Sequence, residues 1–406
     1  MEASLPVRDG AMRVAADAKR QATLAISIYY AALYAPVAII LTFFPLWMRG
    51  RGLTAENIGL IVGLGTVLRI VTNPVVAHIA DRSGRRKPVL IALIAGAALG
   101  ASLYYPVYGF LPLLAVYILT NAFSSSIMPL GESVVVISIK RYGIDYGLAR
   151  RWGSVTVILL SIALGAVVER SGSNIVVSLL VVAYAALLVA ALALPSATTQ
   201  HEERPSAPLA AVLKQGNYVL LLGSAAMCQA AHGFFYSFGT FYWLDGGLST
   251  TEIGWLWAGG VVSEVVIFSL ARQLAGIASP IMIIGLGCLT GIVRWGLLSA
   301  SHDLAMAVVV QILQGGTLAF THIGAARYLA AAMPSTLSSS ATGLYSACGY
   351  GLFMGIGVFA GGYLLNRIGG GIFLIAACVC AFGLLCAAGL GWWHKRYPLA
   401  PASDLS

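Results

Sequence analysis

Six ionisable side chains lie inside long apolar runs of this sequence, where charged groups are rare. They are Arg69, Glu132, His232, Glu264, Arg294 and His322. A charge at the centre of a bilayer costs roughly 3 kcal/mol on insertion scales, so each of these groups needs a partner or a functional role. Carboxyl, imidazole and guanidinium groups in an apolar environment are suited to binding a polar solute and to moving a proton.

Counting along the chain predicts that three of these groups lie at one depth. Two residues of a helical hairpin lie level when they are equally far from its turn. Glu264 and Arg294 are equidistant from Ser279, and His232 and Glu264 are equidistant from Leu248. We therefore expect His232, Glu264 and Arg294 near the middle of the membrane.

A second pair, Glu132 and Arg150, is equidistant from Arg141 and is expected nearer the cytoplasmic side. Both pairs have two interpretations: ion pairs that only hold helices together, or functional groups. We favour the second, because apolar residues would hold the helices without the insertion penalty. Arg69, near mid-membrane, has no acidic partner evident from the sequence.

Three weaker signals accompany the charges. His232 and His322 are equally compatible with a functional role and with a simple hydrogen bond to a neighbouring helix. Tyr236, one turn after His232, is a candidate pocket residue. The segment Pro129-Leu130-Gly131 is expected to loosen the helix just before Glu132.

The composition requires membrane helices to position these groups. Of 406 residues, 59% are hydrophobic and 10% charged, and the mean hydropathy is +0.87, which excludes an ordinary soluble domain. At about 32 residues per span and loop, the chain has room for twelve crossings. The predicted spans are 21–48, 57–80, 88–106, 109–139, 148–168, 174–194, 217–244, 252–271, 278–300, 304–329, 339–365 and 371–393.

The net charge of +9 reflects topology. Lys and Arg cluster in alternate gaps between the apolar runs, which predicts that both termini and the middle linker are cytoplasmic and implies no nucleic-acid partner. The six cysteines lie in apolar runs and are interpreted as packing residues, with neither metal nor disulfide roles.

The two halves of the chain are related in sequence. The segment Gly52–Gly59 aligns without gaps on Gly247–Gly254, an offset of 195. Six helices per repeat predicts an all-α transporter of two pseudo-repeats. The expected organisation is a tail (1–20), a six-helix bundle (21–194), a linker (195–216), a second bundle (217–393) and a tail (394–406).

A loop motif resembles the D-R-x-G-R-R signature of the major facilitator superfamily. It comprises Asp81, Arg82, Gly84, Arg85 and Arg86. In that superfamily the motif is a charged cytoplasmic latch that stabilises one access state. The leading Gly of the motif is Ala77 here, which permits the same close packing.

Finer motifs resemble the 3-phenylpropionate permease-like group and its sugar and nucleoside symporter relatives. They are Tyr146-Gly147-Leu148-Ala149-Arg150-Arg151-Trp152-Gly153-Ser154, His232 to Phe238, Gly254-Trp255-Leu256-Trp257 leading to Glu264, Arg294-Trp295, and Gln311 through His322. By resemblance to lactose-permease-like proteins, Glu132 and Arg150 bind substrate. The same resemblance places substrate recognition and proton coupling together at Glu264 and Arg294.

Two departures argue against a galactoside substrate. The coupling His–Glu pair of the lactose permease aligns with Gln314 and Thr317, and its sugar-stacking Trp aligns with Val157. Proton coupling is then expected to depend mainly on Glu264, with His322 as a further candidate.

We predict a monomeric proton symporter of the bacterial inner membrane that imports a small organic, plausibly aromatic, carboxylate. Import of a neutral nucleoside or sugar, and export of an amphipathic compound, are the alternatives. The sequence contains no P-loop, H-E-x-x-H, C-x-x-C or G-x-S-x-G element, so neither an enzyme nor a bound cofactor or metal is expected.

Overall fold

The computed structural model describes residues 5–195 and 209–397 and contains twelve main helices in these ranges. The first six are α1 (Leu5–Thr42), α2 (Ala55–Ser83), α3 (Arg86–Ser102), α4 (Phe110–Tyr142), α5 (Tyr146–Ser171) and α6 (Ile175–Ala193). The second six are α7 (Gly216–Asp245), α8 (Thr250–Ser269), α9 (Pro280–Ala300), α10 (Leu304–Ala332), α11 (Ser340–Ile368) and α12 (Gly371–Arg396).

Eleven of these helices are long and apolar enough to cross a membrane. The twelfth, α3, has 17 residues. At 1.5 Å per residue it is about 26 Å long, slightly less than the ~30 Å hydrocarbon core. The all-α membrane fold predicted from composition is therefore confirmed, with one helix per predicted span.

Several helix ends differ from the predicted ones, because polar residues continue a helix beyond its apolar run. Helix α1 begins at Leu5, inside the predicted N-terminal tail, and α12 continues to Arg396, inside the predicted C-terminal tail. The predicted linker contains a short helix, Leu209–Leu213. The rest of the linker between 196 and 208, and residues 1–4 and 398–406 of the predicted tails, lie outside the described residues.

Helix α4 is interrupted, but not where the sequence predicts. Its two segments, Phe110–Ser124 and Ile127–Tyr142, are separated at Ser125 and Ser126. Pro129 lies in the first turn of the second segment. A proline is tolerated there because the first N–H groups of a helix have no carbonyl partner within it. The predicted loosening is present, but one turn earlier at Ser125 and Ser126, because Pro129 has no N–H to donate to the carbonyl of Ser125.

Three helices of the second half contain π-helical segments. They occupy Leu222–Ala226 in α7, Gly316–Phe320 in α10 and Ala347–Phe353 in α11. Such insertions rotate the following residues and are frequent at functional sites. In α7, α10 and α11 they change which residues face the neighbouring helices.

The two halves meet closely at the end of the molecule opposite the chain termini, which we call the closed end. Here α2 packs on α11, and α5 packs on α8. A Cβ atom added to Gly59 would lie 2.9 Å from the Cα of Gly362, and one added to Gly165 would lie 2.5 Å from the carbonyl oxygen of Thr250. Glycine is needed at these positions because the backbones touch.

Hydrogen bonds reinforce the closed end. Thr250 Oγ1 donates to Gly165 O at 3.0 Å, and the Thr251 amide donates to Glu169 Oε2 at 3.0 Å. Arg49 and Asp245 form an ion pair of 2.9 Å between the halves. Toward the opposite end, side chains on the faces that meet at Gly165 and Gly254 are exposed, namely Arg150 of α5 and Val265 and Phe268 of α8. The structure is thus closed at one end and accessible from the end that carries the termini.

Candidate functional site

The first-half cluster is built around the carboxylate of Glu132 on α4. Tyr30 on α1 donates to Glu132 Oε2 at 2.7 Å, and Tyr146 on α5 donates to the same oxygen at 3.3 Å. Arg150 on α5 contacts Glu132 Oε1 at 3.3 Å and donates through Nη2 to the Tyr34 hydroxyl at 3.0 Å. The predicted Glu132–Arg150 proximity is present, with three tyrosines added to it.

The two charged side chains of this cluster differ in their exposure to solvent. The Arg150 side chain is 45% exposed, whereas that of Glu132 is 22% exposed. Arg150 can therefore reach a solute while Glu132 holds it in place. Tyr30 and Tyr34 are residues that sequence reasoning missed, although their spacing of four on a helix places two hydroxyls on one face.

The second-half cluster is built around the buried guanidinium of Arg294 on α9. Its Nε donates to Val310 O at 3.0 Å, and its Nη1 donates to Thr317 Oγ1 at 3.3 Å. Its Nη2 donates to Gln311 Oε1 at 3.2 Å and to Gln314 Oε1 at 2.5 Å. Four acceptors on α10 thus satisfy most of the donors of a charge that would otherwise be costly to bury.

Two aromatic rings complete the surroundings of Arg294. The guanidinium carbon lies 4.8 Å from the centre of the Phe235 ring and 4.1 Å from that of the Trp295 ring. Both distances suit a cation–π interaction, which is stronger in a desolvated site. In this conformation Arg294 is enclosed by protein.

Glu264 and His232 join Arg294 through residues of α10. Gln314 Nε2 donates to Glu264 Oε1 at 2.7 Å, while Gln314 Oε1 accepts from Arg294. His232 Nε2 lies 3.1 Å from Thr317 Oγ1. The structure therefore brings together the three groups expected at one depth, but through Gln314 and Thr317 rather than by direct contact.

The α10 residues that form these bridges were missed as site residues. All three residues, Gln311, Gln314 and Thr317, are neutral, so Gln314 and Thr317 were interpreted only as the loss of a titratable coupling pair. Their spacing of three residues, which places them on one helical face, is the signal that was available.

His322 and Tyr236, the two remaining predicted site residues of the second half, lie close to residues of these clusters. His322 Nδ1 is 3.1 Å from the Tyr350 hydroxyl, and its ring lies within electrostatic range of the Arg150 guanidinium on the other half. The Tyr236 ring lies 5.4 Å from that of His232. Tyr236 and Tyr350 also lie within electrostatic range of Glu264.

In the described part of the chain, Arg69 forms no hydrogen bond or ion pair with the residues of these clusters. Its side chain is exposed, and its nearest electrostatic neighbours include the hydroxyls of Tyr117 and Tyr184. Within the described ranges, no acidic residue forms an ion pair with Arg69.

The loop between α2 and α3 contains the charged motif. Gly84 ends α2 with a φ of +62°, and Arg86 Nη2 then contacts Asp81 Oδ1 at 2.8 Å. Arg82 and Arg85 are exposed. The Asp81–Arg86 pair lies within one half, at the accessible end of the molecule.

Comparison with known proteins identifies relatives over most of the chain. The model of the MFS_1 like family matches residues 23–375. A probable 3-phenylpropionic acid transporter of Escherichia coli (strain K12) is 31% identical over 88% of this chain and 95% of its own length. The maltose permease of Geobacillus stearothermophilus is 27% identical over 78% of this chain and 80% of its own.

Solved structures share the fold at low sequence identity. The nucleoside transporter NupG superimposes with a TM-score of 0.78 at 15% identity, covering 91% of this chain and 98% of its own. A bacterial homologue of the lysosomal transporter Spinster, in an inward-facing and unoccupied conformation, superimposes with a TM-score of 0.68 at 13% identity, covering 93% and 97%. These relatives and neighbours are membrane transporters rather than enzymes.

Proposed function

The chain belongs to the MFS_1-like family and is a secondary transporter, and from this premise we propose that it is a proton-coupled symporter importing a small aromatic carboxylate. The observation that carries the proposal is the placement of two complementary groups. Arg150 presents an exposed guanidinium on the first half, and Glu264 presents a half-buried carboxyl on the second. One can hold an anion, and the other can hold a proton.

Within the central site, the substrate carboxylate binds Arg150 before it reaches Arg294, and His322 of the other half assists. A guanidinium matches a carboxylate because its planar N–H groups can donate two parallel hydrogen bonds. Tyr236 provides aromatic surface for the apolar body of the substrate. Arg294 joins the carboxylate only when its bonds to Gln314 and Gln311 loosen, since its donors are engaged in the conformation described.

Proton coupling is assigned to Glu264, with His322 as a second proton-accepting group. Protonation removes the negative charge of Glu264 and weakens the hydrogen bond from Gln314, so the loaded carrier can reorient without moving an unpaired charge. The two six-helix bundles then rock about the central site. Asp81 and Arg86, with Arg82, Gly84 and Arg85, act as the latch at the accessible end.

The distribution of Lys and Arg and the family support further proposals about topology and oligomeric state. The termini lie in the cytoplasm of a bacterial inner membrane, so the described state opens inward, and the protein works as a monomer. Arg69 is a further positive charge near mid-membrane. The named activity of the 31% identical relative supports an aromatic acid as substrate. A neutral sugar or nucleoside is the second candidate, since one relative is named a maltose permease.

The test is uptake into proteoliposomes under an imposed inward proton gradient. Labelled 3-phenylpropionate, maltose and uridine are compared with protein-free liposomes. We expect accumulation of 3-phenylpropionate that disappears when a protonophore collapses the gradient. Accumulation of maltose or uridine, without accumulation of 3-phenylpropionate, would show that the substrate is not a carboxylate. Uptake that is unchanged by the protonophore would refute proton coupling.

A further inference from the structure

We infer that the closed end carries a second binding site, for an organic carboxylate arriving from outside, with Arg49 as its anion-binding group. The chemical class of this ligand rests on the proposed function. The site is a cavity of about 390 Å³ that lies beyond the glycine contacts and is separate from the central clusters. Its lining includes Arg49, Thr54, Phe241, Tyr242, Asp245 and His302.

Both halves of the protein form this cavity. Arg49 lies in the last turn of a short helix, Phe44–Gly50, that follows α1, whereas Asp245 is the last residue of α7. The His302 ring packs edge-on against Tyr242, with ring centres 5.5 Å apart. The cavity thus offers one cation, one imidazole and aromatic surface, which is the chemistry that an aromatic carboxylate requires.

Asp245 occupies the position that such a ligand would take. Its Oδ1 accepts from Arg49 Nη1 at 2.9 Å, which leaves the other edge of the planar guanidinium available. The two side chains are 45% and 58% exposed. An ion pair that exposed contributes little, so an incoming carboxylate can replace Asp245 on Arg49 with a small penalty.

Replacement of Asp245 by a ligand carboxylate at Arg49 would weaken the closed end. The Arg49–Asp245 pair connects the two halves, so a carboxylate that takes Arg49 removes one of their connections. The guanidinium also lies over the Phe241 ring, 5.2 Å from its centre, and this contact keeps Arg49 in the cavity when the pair is broken. External substrate therefore promotes opening of the end from which it enters.

The test uses the opposite charges of the two partners. Arg49→Gln should raise the half-saturation concentration for external 3-phenylpropionate about threefold to fivefold, the change expected for one exposed charge contact. Asp245→Asn should lower it by a similar factor, because it frees Arg49. Half-saturation from the inside should not change in either variant. Arg367→Gln, an exposed arginine at the same end whose guanidinium lies over Tyr363, is the matched control and should leave both values unchanged.

A second readout does not depend on transport. Asn366 lines the cavity and is exposed, so Asn366→Cys introduces a thiol that an impermeant maleimide can label from outside. External 3-phenylpropionate should slow this labelling, and Arg49→Gln should abolish the protection.

The two readouts separate this inference from the proposed function. Equal shifts of the same sign in Arg49→Gln and Asp245→Asn, or labelling that 3-phenylpropionate does not slow, would show that the pair is only a latch and overturn the site. Protection without any uptake of 3-phenylpropionate would support the site and refute the proposed transport substrate.

Discussion

Arg294 and Glu264 are connected through a single neutral side chain. The amide of Gln314 accepts a hydrogen bond of 2.5 Å from Arg294 Nη2 and donates one of 2.7 Å to Glu264 Oε1. Such a chain is polarised from the cation to the anion, and each bond strengthens the other in a site of low dielectric. A change in the charge of Glu264 would therefore alter the hydrogen bond between Gln314 and Arg294.

Gln314→Leu should damage both stability and transport. Leucine fills the space but leaves Arg294 and Glu264 without one partner each, and a buried unsatisfied polar group costs about 1–3 kcal/mol. We expect a lower Tm in detergent and uptake reduced about tenfold or more. Gln273→Leu, on an exposed residue of the short helix Ala271–Ile277, is the matched control. Unchanged uptake in Gln314→Leu would show that the bridge has no role in transport.

Glu264→Gln should separate accumulation from exchange. The neutral amide imitates a protonated carboxyl, so the carrier can still reorient with substrate bound, but a proton gradient no longer drives it. We expect gradient-driven uptake of 3-phenylpropionate to fall to the protein-free level while exchange of labelled for unlabelled substrate continues. Glu56→Gln, an exposed acid at the closed end, serves as the control. Gradient-driven accumulation by Glu264→Gln would move the coupling group elsewhere.

The first-half cluster predicts graded effects on substrate affinity. Arg150→Gln removes the exposed cation and should raise the KM for 3-phenylpropionate about tenfold or more, since hydrogen bonds to charged groups contribute about 1.5–3 kcal/mol. Tyr30→Phe removes only the 2.7 Å hydrogen bond that positions Glu132, so it should raise the KM for 3-phenylpropionate by a smaller factor. Steady-state uptake gives both values. A larger effect from Tyr30→Phe than from Arg150→Gln would assign substrate contact to the Glu132 side.

The twelve helices follow from the sequence because each apolar run is long and the polar gaps are distinct. Buried charges also identify the depth of the candidate site, since insertion penalties make them rare. Helix ends are less predictable: α1 and α12 continue beyond their apolar runs, because polar residues can remain helical outside the membrane. The break in α4 at Ser125 lies four residues before Pro129, at the carbonyl that loses its helical partner, so the proline signals a break one turn before its own position.

Hydrogen-bond partners are harder to foresee than charges. Depth along a helix can be counted, but rotation about its axis depends on packing, and the π segment of α10 changes that rotation locally. Gln314 therefore reaches both Arg294 and Glu264 without any mark in composition or charge. Tyr34, which contacts Arg150 from α1, was missed for the same reason.

The glycine contacts of the closed end predict a conformational variant. A Cβ atom at residue 59 would lie 2.9 Å from the Cα of Gly362, closer than real contacts allow, so Gly59→Val should prevent α2 and α11 from closing. We expect a population shift toward the state open at this end, measured as a larger distance between spin labels on the two halves, and slower uptake. Gly296→Val is the matched control, because nothing lies within 4 Å of a Cβ built there in α9. Equal distances in both variants and the wild type would show that the contact of Gly59 with Gly362 does not control closure of this end.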